Sequence, residues 1–166
     1  SGAASASPDD PTHERTTVTE PEPQALSEED QQRRRRTIAE LMPTTPFIES
    51  MGLLIEEYEP DRAAVRIPFR HDLTNDGVVY HGGVLAAALD TCGALAAWSG
   101  HDFAKGHRRA STISMSVQYV GAARSSDLRC TAVAVKRGKE LIFTEITATD
   151  AEGLVVAHAV QTYRIA

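Results

Sequence analysis

Between His81 and Gly100 runs an eighteen-residue segment, GGVLAAALDTCGALAAWS, that carries a single charged side chain, Asp90. The glycine pair that opens it and the Gly100 that closes it predict one helix over 82–99. Alanines at 86, 87, 88, 94, 96 and 97 leave that helix apolar on nearly every side. A helix with no polar face is enclosed by the fold rather than laid on its surface. A bilayer is the other apolar surrounding, but spanning one takes about 20 mostly apolar residues. This segment is alanine-rich rather than leucine-rich and Asp90 interrupts it, so no membrane span is expected.

The enclosure must come from the rest of the chain, whose 166 residues amount to one domain. Residues 52–58 and 63–68 are short apolar runs split by Glu59-Pro60-Asp61-Arg62, and they read as a hairpin. Residues 69–80 form a polar loop centred on Asn75-Asp76-Gly77. Further on, Ile113, Met115, Val117 and Tyr119 alternate with Ser114, Ser116 and Gln118, the period of a half-buried strand. More strands are expected over 128–135, 141–149 and 154–165, with turns at Arg137-Gly138-Lys139 and at residues 150–153. The order strand, strand, helix, four strands gives an α+β domain in which a largely antiparallel sheet curls around one long helix.

The front of the chain has a different texture. Residues 1–30 are dominated by Pro, Ser, Thr, Ala and acids and read as a disordered tail. Residues 31–45 read as a short helix and linker, with Ser27 as N-cap and Pro43 as stop. The run Arg33 to Arg36 invites a nucleic-acid reading, but Glu20, Glu22, Glu28, Glu29 and Asp30 lie beside it, so a solvated, self-compensating helix is expected. A net charge of -6 argues the same way, since a nucleic-acid-binding domain is basic. Cys92 and Cys130 lie far apart with no CxxC or Cys/His spacing, so no disulfide, zinc or other metal site is expected, only two small buried side chains. No charged-then-apolar leader opens the sequence, and a cytoplasmic location is the expectation.

Asp90 is the residue that composition does not explain. A buried, unpaired carboxylate is costly, so its site must be paired, wet or catalytic. His81-Gly82-Gly83 immediately precedes or opens the same helix. Free N–H groups at a helix N-terminus carry the positive end of the helix dipole, and glycine lets a ligand carbonyl approach them, as in an oxyanion hole. A glycine pair needed only for a tight turn is the alternative. Asp90 follows Gly82 by eight residues, roughly 12 Å along a helix. The two cannot act on one carbonyl within a single chain. Two such helices side by side and antiparallel would bring Asp90 of one near Gly82 of the other, which predicts a homodimer with composite sites.

Taken together, Asn75-Asp-Gly-Val-Val-Tyr-His81-Gly82-Gly83, then Asp90-Thr91, then Ser111-Thr112-Ile-Ser-Met-Ser-Val-Gln-Tyr119 resemble the hotdog-fold acyl-CoA thioesterases. The phenylacetate-degradation (PaaI-like) branch is the nearest, and the likeness spans residues 46–166. The resemblance implies a hotdog fold and hydrolysis of an aryl or medium to long aliphatic acyl-CoA to free acid and CoA. CoA is then part of the substrate and no cofactor is needed; the assembly would be a homodimer or dimer of dimers. Asp90 would attack the thioester carbonyl or activate water, and the Gly82 amide would polarise that carbonyl. His81 would shape the loop, Asn75 would hold the water or thioester, and Thr112 falls where the family often has Ser or Thr beside the acid. An Asp rather than a Glu at position 90 fits this branch.

Gly83 would lie against the substrate, and the alanines of the helix with Met115 suggest a slot for an apolar acyl group. CoA is a polyanion, so Arg108 and Arg109, or Arg137 and Lys139, are candidates to meet its phosphates, an ordinary solvated turn being the alternative for each pair. Two other functions compete. One is a non-catalytic acyl-CoA sensor, although residues 27–42 hold too little for a helix-turn-helix arm. The other is an enoyl-CoA hydratase or dehydratase, which needs a His and an acid placed to move a carbon-bound proton. Cys92, His71, His101, His107 and His158 are assigned no role.

Overall fold

The long helix, α3 (Gly82–Ser99), forms between the two caps expected for it. His81 is the N-cap in an extended conformation, and the Gly100 N–H closes the far end on Trp98 O. Every residue from Thr91 to Ser99 is buried. By length and composition α3 could cross a bilayer, with a mean hydropathy of 1.2, but 67% of it is buried inside the fold, so it is the core helix of this domain. A computed structural model describes residues 26–107 and 109–166. The tail expected over residues 1–30 therefore falls, as far as residue 25, outside the described residues, and so does Arg108.

Six strands enclose the helix: β1 (Leu54–Glu59), β2 (Arg62–Ile67), β3 (Ala110–Tyr119), β4 (Leu128–Arg137), β5 (Leu141–Thr149) and β6 (Val155–Ile165). They form one antiparallel sheet in the order β1-β2-β4-β5-β6-β3, and α3 touches every strand. The inward face of the sheet supplies Val65, Ile67, Leu128, Cys130, Ala132, Ile146, Ala148, Ala157 and Ala159 to a core centred on Leu85, Leu89, Cys92 and Leu95. Small residues on both sides let the sheet close tightly on the helix. The sheet curled around one helix is the architecture expected from the sequence.

Two local expectations are corrected, and one unforeseen helix is added. First, Ile113 does not continue the inward alternation of β3. The register on β6 runs Thr112↔Tyr163 and then Ser114↔Thr162, so Ile113 is the extra residue of a β-bulge and stands 55% exposed. The bulge reverses the alternation and turns Thr112 inward. Second, a six-residue helix, α2 (Pro46–Met51), precedes β1; Pro46 starts it and Gly52, with φ at 68°, ends it.

Third, the N-terminal helix is docked along one side, while most of its arginine run stays exposed to solvent as expected. It is α1 (Glu28–Leu41), and its N-cap Ser27 accepts from the Asp30 N–H, so residues 28–30 belong to this helix and not to the tail. Gln31 is buried, donating to Asp102 Oδ1 at 2.6 Å and accepting from the Phe103 N–H at 2.9 Å. Ile38 packs on a second cluster around Trp98, Phe103, Ile142, Tyr163 and Ile165. The arginine run does compensate its charge locally, through Arg33 to Asp30 at 2.6 Å and Arg35 to Glu28 at 3.5 Å.

Candidate active site

Asp90 lies midway along α3, half-buried, with its carboxylate aimed at the sheet. Thr112, turned inward by the bulge at Ile113, donates its hydroxyl to Asp90 Oδ1 at 2.6 Å. Gln161 of β6 donates from Nε2 to the same oxygen at 2.7 Å and to the Asp90 main-chain carbonyl at 3.0 Å. Oδ1 is thus held by two donors, whereas no donor meets Oδ2 among the described residues. Two charge-assisted hydrogen bonds to one oxygen fix the plane of the carboxylate and leave the other oxygen available. Two of the candidate residues from the sequence, Thr112 and Asp90, are thus brought together. Gln161 was not foreseen. The signal was present, because Ala157, Ala159, Tyr163 and Ile165 mark the inward positions of β6 and a lone amide interrupts that apolar row.

The start of α3 divides the labour of the glycine pair. His81 Nδ1 accepts the Gly83 N–H at 2.8 Å, and His81 O accepts from Val84 at 2.9 Å and Leu85 at 3.3 Å. Among the described residues no acceptor meets the Gly82 N–H. A neutral His81 in this cap carries its proton on Nε2. A Cβ on Gly83 would lie 2.9 Å from His81 Nδ1, so the cap itself requires glycine there. A Cβ on Gly82 would meet only the Tyr119 ring, at an ordinary 3.7 Å. Packing within the chain therefore does not demand glycine at 82. Tyr119 donates its hydroxyl to Gly82 O at 3.2 Å and lies across this end of the helix.

The loop that delivers His81 is anchored at several points. Asp76 Oδ1 accepts from the Val78 and Val79 N–H groups, and these bonds hold its carboxyl below the usual range. The Asn75 N–H bonds Val79 O, and the residue itself is exposed. At the head of the loop, Asp127 accepts from the Phe69 N–H and pairs with Arg66, which lowers its pKa. Tyr80 is buried and donates to Ile67 O; burial pushes its phenol up to about 12.

The basic candidates within the described residues gather near one cleft but differ in how they are engaged. Arg137 caps the far end of α3, with its guanidinium paired to Asp61 and donating to Ala96 O at 3.1 Å, so it is engaged in holding the helix C-terminus. Lys139 is exposed and, with Arg137, Lys105, His101, Glu140 and Ala166, lines a cleft of about 410 Å³. Arg109 is exposed and its backbone pairs with Ala166 beside that cleft. Cys92 points away from Asp90 and sits 3.4 Å from Cys130 O; burial pushes its thiol up and that of Cys130 up to about 12. His101 joins Trp98, Phe103 and His107 in a ring cluster near the C-terminal end of α3, and burial lowers its pKa.

Residues 77–157 match the thioesterase superfamily. The proposed esterase SSO2140 of Saccharolobus solfataricus is 28% identical over 107 residues, 64% of this chain and 74% of that protein. Among solved structures, PA5202, a conserved protein of Pseudomonas aeruginosa, is 26% identical with a TM-score of 0.69, covering 77% of this chain and 99% of that one. A thioesterase-superfamily-related protein of Shewanella oneidensis is 24% identical with a TM-score of 0.75, covering 84% and 100%. PaaI of the E. coli phenylacetic acid degradation operon shares the fold at 18% identity and a TM-score of 0.70, covering 81% and 94%.

Proposed function

From a hotdog fold whose residues 77–157 match the thioesterase superfamily, we propose that the chain hydrolyses an acyl-CoA thioester to the free acid and CoA, in the manner of the PaaI-like branch. The observation that carries this reading is the state of the Asp90 carboxylate. One oxygen is held by Thr112 and Gln161, and the other has no donor among the described residues. Such a group is arranged either to attack a thioester carbon or to take a proton from water that does so. The Gly82 N–H at the positive end of α3 is the donor for the carbonyl oxygen. His81, next to Gly82, would shape that approach, and Asn75 would hold the water or the thioester.

Helical rise separates Asp90 from Gly82 by roughly 12 Å within the chain, so the reading needs a second copy. Two features support one. Gly83, Ala86, Ala87 and Asp90 form a small-residue stripe on the less buried half of α3, where another helix can come close. The edge strand β3 is ten residues long, with Tyr119 and the adjoining Val120 more than half exposed. In this assembly Asp90 of one protomer works with Gly82 of its partner, and Lys139 and Arg109 are the exposed cations offered to CoA phosphates.

The test is a panel of aryl- and aliphatic-CoA thioesters followed for free thiol. Thiol release identifies the substrate class. Loss of enoyl absorbance without thiol would instead identify a hydratase, and calorimetric binding without turnover would identify a sensor.

A further inference from the structure

Gln161 is 2% exposed, and its amide lies among polar atoms inside an otherwise apolar wrap. Its Nε2 faces Asp90 O, Asp90 Oδ1 and Thr112 Oγ1 at 3.0, 2.7 and 3.4 Å, and its Oε1 accepts from Thr144 Oγ1 at 3.2 Å. Asp90 O and an ionised Oδ1 only accept, so the N–H end of the amide must face them. Thr144, 1% exposed and directly across the β5–β6 ladder, holds the other end. Space for this arrangement comes from α3. A Cβ on Gly93 would lie 2.3 Å from Gln161 Oε1 and 3.0 Å from Thr144 Oγ1. Gly93 is a helix-interior glycine, costly to the helix, and the notch it leaves is occupied by the Gln161 amide.

We infer that Gln161 is the positioning residue of the Asp90 carboxylate, seated by Thr144 and admitted by the missing side chain of Gly93. This rests on the thioesterase reading above. Packing alone would be met by an apolar side chain. An amide bridging the main chain and the side chain of the same aspartate instead fixes the rotamer of that aspartate, and with it the direction in which Oδ2 points. A carboxylate that wandered would lose its alignment with the carbonyl held by the partner's helix N-terminus, at a cost of tenfold to about a hundredfold in rate.

Two substitutions separate this role from packing. Gln161→Met keeps length and volume and removes the N–H; Gln161→Glu keeps the shape and replaces the N–H with a titrating oxygen. Both are compared with wild type and Asp90→Asn by thiol release and by thermal unfolding. In Gln161→Met, kcat is expected to fall at least about tenfold with KM within about twofold. In Gln161→Glu, the introduced carboxyl can donate to Asp90 only while protonated, so activity relative to wild type should fall as pH rises from 6 to 9. Thr112, Thr144 and the Tyr163 phenol, itself raised by burial, are the other groups facing this pocket, and none charges in that window.

A Gln161→Met kcat within twofold of wild type, or a Gln161→Glu profile parallel to wild type, overturns the inference while a dead Asp90→Asn leaves the thioesterase reading intact. If Gln161→Met does not fold, the pH profile of Gln161→Glu decides alone. Full activity in Asp90→Asn overturns both.

Discussion

Thr112 donates its hydroxyl to Asp90 Oδ1 across 2.6 Å, and it does so because one extra residue, Ile113, reverses the alternation of the strand that carries it. A hydrogen bond to a charged group is worth about 1.5–3 kcal/mol. Thr112→Val, which keeps the shape and removes the hydroxyl, should therefore lower kcat by about ten- to a hundredfold, with Thr112→Ser close to wild type. Steady-state kinetics on the best thioester checks both.

Gly82 and Gly83 should respond differently to alanine. Gly82→Ala meets only ordinary contact with Tyr119, so it should unfold at the wild-type temperature yet lose activity, its methyl standing where the substrate carbonyl approaches. Gly83→Ala collides with the His81 cap and should cost stability, about 0.5–2 kcal/mol for a lost N-cap. Calorimetry beside the thiol assay separates them.

Composite sites make a prediction that no single-chain site shares. Mixed oligomers of Asp90→Asn and Gly82→Ala subunits should be more active than the sum of the two variants alone, because one of the two sites in a mixed pair is intact. Co-expression with two purification tags measures this. A mixture that only averages its parents would mean that each chain holds a whole site.

The sequence made the large elements legible because each has strong local physics. Two glycine boundaries and an absent polar face mark α3, and alternation marks β4, β5 and β6. Three features escaped for physical reasons. A β-bulge is set by cross-strand register, so the apolar Ile113 read as core while the smaller Thr112 is the inward residue. α1 docks through one amide, Gln31, and one apolar side chain, Ile38, in a helix whose other residues are mostly charged. Gln161 acts across 71 residues of sequence separation from Asp90, and only its break in an apolar row betrays it.

Arg137 should behave as a structural residue. It holds Ala96 O and Asp61 at the end of α3, so Arg137→Ala should lower stability by about 1 kcal/mol and leave KM for the CoA ester unchanged. Lys139→Ala should do the reverse, raising KM with no change in unfolding temperature.

The loop leading to His81 ties stability to pH. Asp127 has its carboxyl lowered in the folded state by the Phe69 N–H and by Arg66, so the folded state binds its proton less tightly than the unfolded chain does. Its contribution is present above the ordinary carboxylate range of about 4 and is lost as pH falls through the lowered value. The difference in unfolding temperature between wild type and Asp127→Asn should accordingly be clear at pH 7 and shrink at pH 3.

The most direct test of the account is thiol release by wild type and Asp90→Asn, side by side, on the thioester that wild type turns over fastest. A fall in kcat of at least about a hundredfold is expected, with the variant folded and still binding the ester. A variant that releases thiol at the wild-type rate would remove Asp90 from the chemistry and contradict the account.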